Sequence, residues 1–235
     1  MELTVATHPV GFEISDRSDR LVLTTSADAA GTHVFERVQR RAFELAARKG
    51  WLRIHGAVIE LHGRRIAVIG SSGVGKTTLA LAALAAGHPA EADESFLILD
   101  GTALSVPRRF HAEVGTLDLV PDAREWVAPS PLLQRDPPRW AIDPKTVDPR
   151  WRTRSGLLDL LVVASTTGPK LHLAPMPGAE AVPHLLANAL PTIETRAQVA
   201  AQLAALLHHT KIVMLTGVHR APPDTILARL AAVVG

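Results

Sequence analysis

The sequence predicts an α/β protein: a mixed sheet with flanking helices around a phosphate-binding loop, with a small β segment at the N-terminal end. Three observations predict it. A β-branched run, "RIAVI", leads directly into "GSSGVGKT" at residues 70–77, and an Ala/Leu helix pattern leads out. In the second half, apolar runs of strand length ("LLDLLVVAS", "KIVMLTG") alternate with helical patterns. The first 30 residues carry only short alternating pieces bounded by Gly, Asp and Ser.

Taken in order, "ELTVATH", "GFEIS" and "RLVLTT" read as two or three antiparallel strands. Residues 33–49 place Val34, Phe35, Val38, Ala42, Phe43 and Leu45 at helical spacing, and Gly50 stops that helix. "WLRIHGAVIELHGRRIAVIG" reads as strand, tight turn at His62-Gly63, strand. "GKTTLALAALAAG" is a helix ended by Gly87, and "SFLILDG" is a short strand. Residues 103–156 are rich in Pro and Arg and read as loops and short strands around a site, anchored by Trp126, Trp140 and Trp151. This stretch is the candidate for a mobile lid. "LLDLLVVAS" and "KLHLAPM" are strands, residues 178–189 and 195–208 helices, "KIVMLTG" a strand, and "PPDTILARLAAVV" a final helix. His208-His209 end a helix, where positive charge is favourable. The expected division is residues 1–50, strands and helix packed on the core, and residues 51–235, the phosphate-loop domain.

Composition narrows the function classes. The 235 residues, 47% hydrophobic, suffice for one large α/β domain or a domain with a small appendage. Lys and Arg (25) nearly balance Asp and Glu (23), and the net charge of +2 offers no basic stripe for nucleic acid. Tyr is absent and aromatics are 4%, which argues against base-stacking platforms for single strands. With no cysteine there are no disulfides or thiolate metal sites, which suits a cytoplasmic enzyme. The N-terminal residues lack an apolar signal core, and the longest apolar runs are too short to span a membrane. Nucleic acid and membrane are therefore not expected as partners.

Gly70-Ser71-Ser72-Gly73-Val74-Gly75-Lys76-Thr77 matches GxxxxGK[ST] in full and is followed by Thr78. The glycines let backbone N–H groups turn inward around phosphates, and the new helix points its positive end at them. Lys76 is placed to reach β- and γ-phosphates, and the Thr77 hydroxyl to ligate Mg²⁺. ATP and Mg²⁺ are the implied ligands. Around the loop stand His55, the acidic pair Asp93-Glu94, and further on Glu113 and Asp118. In-line phosphoryl transfer needs a carboxylate to accept the hydroxyl proton, a metal, and cations for the equatorial oxygens. Asp93 is of the right type for the first, and it is expected to arrive from a strand that neighbours the phosphate-loop strand. Arg108, Arg109, Lys145, Arg150, Arg152 and Arg154 read mostly as plain surface charge, with one or two of them expected to touch phosphate.

His55-Gly56, Ser72-Gly73-Val74-Gly75-Lys76-Thr77, Gly87-His88 and Ala92-Asp93-Glu94 together resemble the core of the HPr kinase/phosphorylase family. The resemblance is specific over residues 55–94, traceable to Asp118 and again at 157–189, and fades before residue 50. It implies a P-loop kinase core of the HPr-kinase/PEP-carboxykinase-like type and ATP-dependent phosphorylation of a serine hydroxyl. It also implies that Asp93 takes the place of the catalytic base, that His55 sits beside the transferred phosphoryl, and that Glu94 and Glu113 take metal-side positions. Related full-length enzymes assemble as oligomers. The chain departs from the pattern where Glu94 replaces a second Asp and where "EVGTLD" only approximates a Glu-x-Arg-Gly run. A compact relative with an acceptor other than HPr is the expectation: a serine of a peptide or protein, or a serine-like metabolite. Two other classes compete. A nucleotide sensor would have no use for the His and the acidic pair. A partner-coupled ATPase would need an apolar strand ending in Asp, for which "SFLILD" with Asp100 is the candidate.

Overall fold

The computed structural model describes residues 4–8, 11–15, 20–23, 27–127, 138–149, 151–191 and 194–235. Arg150 and residues 128–137, a part of the Pro-rich stretch 103–156 expected as a lid, lie outside the described residues. The chain divides into two compact units, Met1–Ala46 and Ala47–Gly235.

In the first unit, β1 (Thr4–His8), β2 (Gly11–Ser15) and β3 (Arg20–Leu23) form an antiparallel sheet, with Val5 opposite Ile14 and Ile14 opposite Leu21. The helix α1 (Ala27–Arg48) starts earlier than its apolar spacing indicated. Its first turns, "ADAAG", carry no apolar face to read, but the alanines are strong helix formers.

The second unit opens with β4 (Leu52–Ile54), β5 (Ala57–Leu61) and β6 (Arg64–Ile69), then α2 (Lys76–Ala85) and β7 (Ala90–Ala92). There follow β8 (Phe96–Leu99), β9 (Thr102–Ser105), β10 (Phe110–Glu113) and α3 (Val114–Leu119). After a 3-10 turn at Pro121–Glu125 come β11 (Arg139–Ile142), α4 (Pro144–Val147) and β12 (Ser155–Gly156). The chain ends with β13 (Leu160–Ala164), β14 (His172–Pro175), α5 (Gly178–Asn188), α6 (Arg196–His209), β15 (Lys211–Thr216) and α7 (Pro223–Val234).

The central sheet has six strands in the order β14-β15-β13-β6-β5-β7. β6, β13 and β15 are parallel, and β5, antiparallel to both β6 and β7, leaves β7 running with β6. The carboxyl ends of β7, β6, β13 and β15 therefore share one edge of the sheet. The start of β5, with His55 just before it, lies at that same edge.

Side chains alternate across this sheet between two cores. Ile59, Ile66, Val68, Leu160, Val162 and Leu215 face α2 and α7. Val58, Ala67, Ile69, Leu161 and Val163 face α5, α6 and a second sheet of order β12-β9-β8-β4. Burial on both faces explains why these strands read as unbroken apolar runs. Each fully buried Val, Ile or Leu contributes about 1.5–3 kcal/mol.

Two readings are corrected by this arrangement. The strand expected before His62-Gly63 is broken at His55-Gly56, so β4 pairs with β8 in the second sheet while β5 joins the first. The run "SFLILD" is also in the second sheet. Asp100 sits in the β8–β9 hairpin turn with positive φ of 49°, its N–H bonded to Gln202, well removed from the phosphate-loop strand's neighbours. The support for a partner-coupled ATPase through Asp100 goes with it. Among the described residues, no helix is long and apolar enough to cross a membrane.

Candidate active site

The phosphate loop occupies the crossover from β6 to α2. At its start Gly70 has φ of 151°, and a Cβ there would lie 2.4 Å from the Ala164 carbonyl oxygen, so only glycine lets the chain pass the end of β13. Gly75 caps α2 with φ of 98°, and no side chain caps this helix. The first-turn N–H groups of α2 thus have no side-chain acceptor and open toward a cavity of about 370 Å³. That is the donor set of an anion site. The buried Lys76 ammonium donates to the Gly70 and Ser71 carbonyls at 2.8 and 3.0 Å. Burial lowers its pKa, and the nearby charges of Asp93 and Glu94 oppose the shift.

Asp93 leaves β7 at the loop edge of the sheet. The Thr77 hydroxyl donates to its carboxylate at 2.9 and 3.1 Å, and the His111 backbone N–H donates to it as well. Asp93 is only 2% exposed. Desolvation raises its pKa from 3.8 to about 6, the negative charge of Glu94 adds to the rise, and the two hydrogen bonds and Arg108 oppose it.

Glu94 follows with φ of 79°, a left-handed conformation that costs a non-glycine residue about 1–2 kcal/mol. The turn aims its carbonyl at the His55 side chain, 2.8 Å from Nδ1, and at the Gly56 N–H, 3.2 Å away. Because a carbonyl only accepts, Nδ1 carries the proton and Nε2 is left as an acceptor. Desolvation and the positive charge of Lys76 push the His55 pKa down, so the ring is neutral near pH 7.

The carboxylates of Glu94 and Glu113 are both engaged by arginine. Arg108 pairs with Glu94, and Arg139 with Glu113 at 2.6 Å. His111, Glu113 and Arg139 line the cavity with His55, Asp93 and Glu94. Asp118 stands on α3 in an ion pair with Arg124 and is not among the cavity-lining residues. Of the other expected cations, Arg154 pairs with Glu60, while Arg109, Lys145 and Arg152 are exposed. Sequence reasoning missed His111 and Arg139. Both lie in four-residue strands with no readable pattern, and β10 and β11 pair with each other to bring Arg139 opposite Glu113.

The donor chemistry fits a magnesium nucleotide. No group of three or more metal-ligating side chains occurs among the described residues. Mg²⁺ takes one or two carboxylates, with water and substrate phosphates completing its shell, and Thr77 with Glu94 and Glu113, which line the same cavity, would supply such a partial set of hard oxygens. Size alone does not mark the site. A larger groove of about 850 Å³ runs along α5 and α6, but Val182, Leu186, Val199 and Leu203 make it largely apolar.

No family model matches the chain, and no curated protein matches it significantly. Among solved structures, the HPr(Ser) kinase/phosphatase from Coxiella burnetii matches 77% of this chain and 93% of its own, with a TM-score of 0.38 and 10% identity. A likeness this distant says nothing about activity, which must be read from the site.

Proposed function

We propose that this protein is an ATP- and Mg²⁺-dependent kinase that transfers the γ-phosphate to a serine-type hydroxyl of a peptide or protein. The observation that carries the reading is the placement of Asp93. A buried carboxylate whose pKa is raised to about 6 is held against the hydroxyl of the phosphate-loop Thr77 at 2.9 Å. A general base works best with a pKa near the working pH, and this one has been moved toward it by burial.

In this reading the loop N–H groups and Lys76 hold and neutralise the phosphates, and Gly70 through Thr78 form the nucleotide site. Asp93 orients the acceptor hydroxyl and takes its proton as the new O–P bond forms and the bond to the leaving diphosphate breaks. Neutral His55, its Nδ1–H tied to the Glu94 carbonyl, presents Nε2 as an acceptor beside the transferred group. Mg²⁺, held by Thr77 on the Asp93 side of the loop, would screen phosphate charge. Glu94 and Glu113 stand on the metal side, each fixed by an arginine. The sequence resemblance over residues 55–94 supports the same assignment of roles. A serine-like metabolite is the alternative acceptor. Incubating the protein with ATP, Mg²⁺ and candidate acceptors, followed by mass spectrometry, tests the reading. A phosphorylated hydroxyl supports it, and nucleotide hydrolysis without any phosphorylated acceptor counts against it.

A further inference from the structure

Asp93 emerges two strands to one side of the phosphate loop, at the end of β7. Two strands to the other side, at the end of β15, the chain makes a second structured turn. With strands about 4.8 Å apart, the two features flank the loop by roughly 10 Å each. Both contribute to the same cavity.

The two sides differ in chemistry. The β7 side carries His55, Asp93, Glu94, His111, Glu113 and Arg139. The β15 side presents Val218, His219, Ala221, Pro223 and Ile226, with Leu119 of α3 lining the cavity as well. Leu119 lines this cavity and is 58% exposed, so its side chain is available to a ligand there.

The turn after β15 is rigid. Gly217 has φ of 65°, and a Cβ there would fall 2.2 Å from the Lys170 carbonyl oxygen. Its N–H donates to the Thr167 carbonyl at 2.6 Å. Val218 packs toward the phosphate loop, 3.7 Å from where a Cβ on Gly75 would lie. Pro223 opens α7 and is buried, while His219 is exposed with its ring free to meet a ligand face.

We propose that His219, Pro223 and Leu119 form the subsite for the heteroaromatic base of the nucleotide. The proposal rests on the reading of the loop as a nucleoside triphosphate site. The Thr77–Asp93 contact fixes the transfer end of the triphosphate on the β7 side, so the base leaves on the other. There it finds a proline ring, an imidazole and an exposed leucine, surfaces suited to a flat apolar ring. The subsite reads the face of the base rather than its edge.

The test compares ATP with inorganic tripolyphosphate, both with Mg²⁺, by titration calorimetry. Wild-type protein binds ATP more tightly than tripolyphosphate. His219→Ala and Leu119→Ala, both at exposed positions, each weaken ATP by roughly tenfold and leave tripolyphosphate unchanged. Equal loss for both ligands, or no loss for ATP, overturns the base subsite, as does equal affinity of the wild type for the two ligands. In all of those outcomes the phosphate-loop reading stands. Wild-type protein that binds neither ligand overturns that reading itself, and the subsite with it.

Discussion

The hydroxyl of Thr77 donates to the carboxylate of Asp93 at 2.9 Å, joining the first turn of α2 to the end of β7 across the one strand, β5, that separates β7 from β6 in the central sheet. In a phosphate-loop protein that hydroxyl is a metal and phosphate ligand. In the proposed reading, the carboxylate bonded to it stands beside the phosphates. It arrives from the antiparallel side of the sheet, whereas β13, the parallel neighbour of β6, ends in Ala164-Ser165 and supplies no acid.

Burial of Asp93 has a consequence for stability. Its folded pKa of about 6 is above its ordinary 3.8. The carboxylate therefore destabilises the fold above about pH 6, and the penalty fades as pH falls toward 4. Asp93→Asn removes it and raises stability at pH 7–8 by up to about 3 kcal/mol, with no gain near pH 4. Thermal melts across this range check it, and an Asn variant less stable at pH 8 would show that the carboxylate is compensated rather than strained.

The same group sets an acid limb. Asp93 must be ionised to accept a proton, so kcat/KM for transfer falls as pH drops through about 6. His55, its pKa pushed down by burial and by the charge of Lys76, is neutral on the plateau at pH 7 and above. A pH–rate profile reads this, and a profile flat between pH 5 and 7 would contradict it.

Lys76→Ala reduces transfer by roughly 100- to 1,000-fold, the usual worth of one positioned charge on a developing anion. Lys76 already reaches the carbonyls of Gly70 and Ser71 at 2.8 and 3.0 Å, so the variant also loosens the loop. Initial rates in a variant with a native circular dichroism spectrum are the measurement, and unaltered turnover would place catalysis elsewhere.

Glu94 separates conformation from charge. Glu94→Ala and Glu94→Gly both lose the ion pair to Arg108, but only glycine is relaxed at φ of 79°. The Gly variant should be more stable than the Ala variant by about 1 kcal/mol. Urea unfolding of the pair checks it, and an Ala variant of equal or greater stability would mean that the backbone there is unstrained.

The phosphate loop was legible because its residues are contiguous and its flanking strand and helix are strongly patterned. The central strands were legible because both faces are buried, as Leu160–Ala164 shows. β7 was not. It is three residues long and centred on Glu91, which is buried against Arg65 at 2.8 Å in a pairing between distant segments that leaves no local pattern. The split of β4 from β5 was also hidden, because His55-Gly56 reads as strand on either side. The cavity wall at His219, Pro223 and Leu119 combines α3 with the turn after β15, and no local spacing joins them.

The most direct test is single-turnover phosphoryl transfer measured beside nucleotide binding for Asp93→Asn. The amide keeps size and polarity and can still accept from Thr77, but it cannot take the proton. ATP–Mg²⁺ binding should stay within a few-fold of wild type while transfer falls by about 100-fold or more. Parallel loss of binding and transfer would make Asp93 a metal ligand rather than the base. Retention of both would contradict the account of this site as a kinase centre.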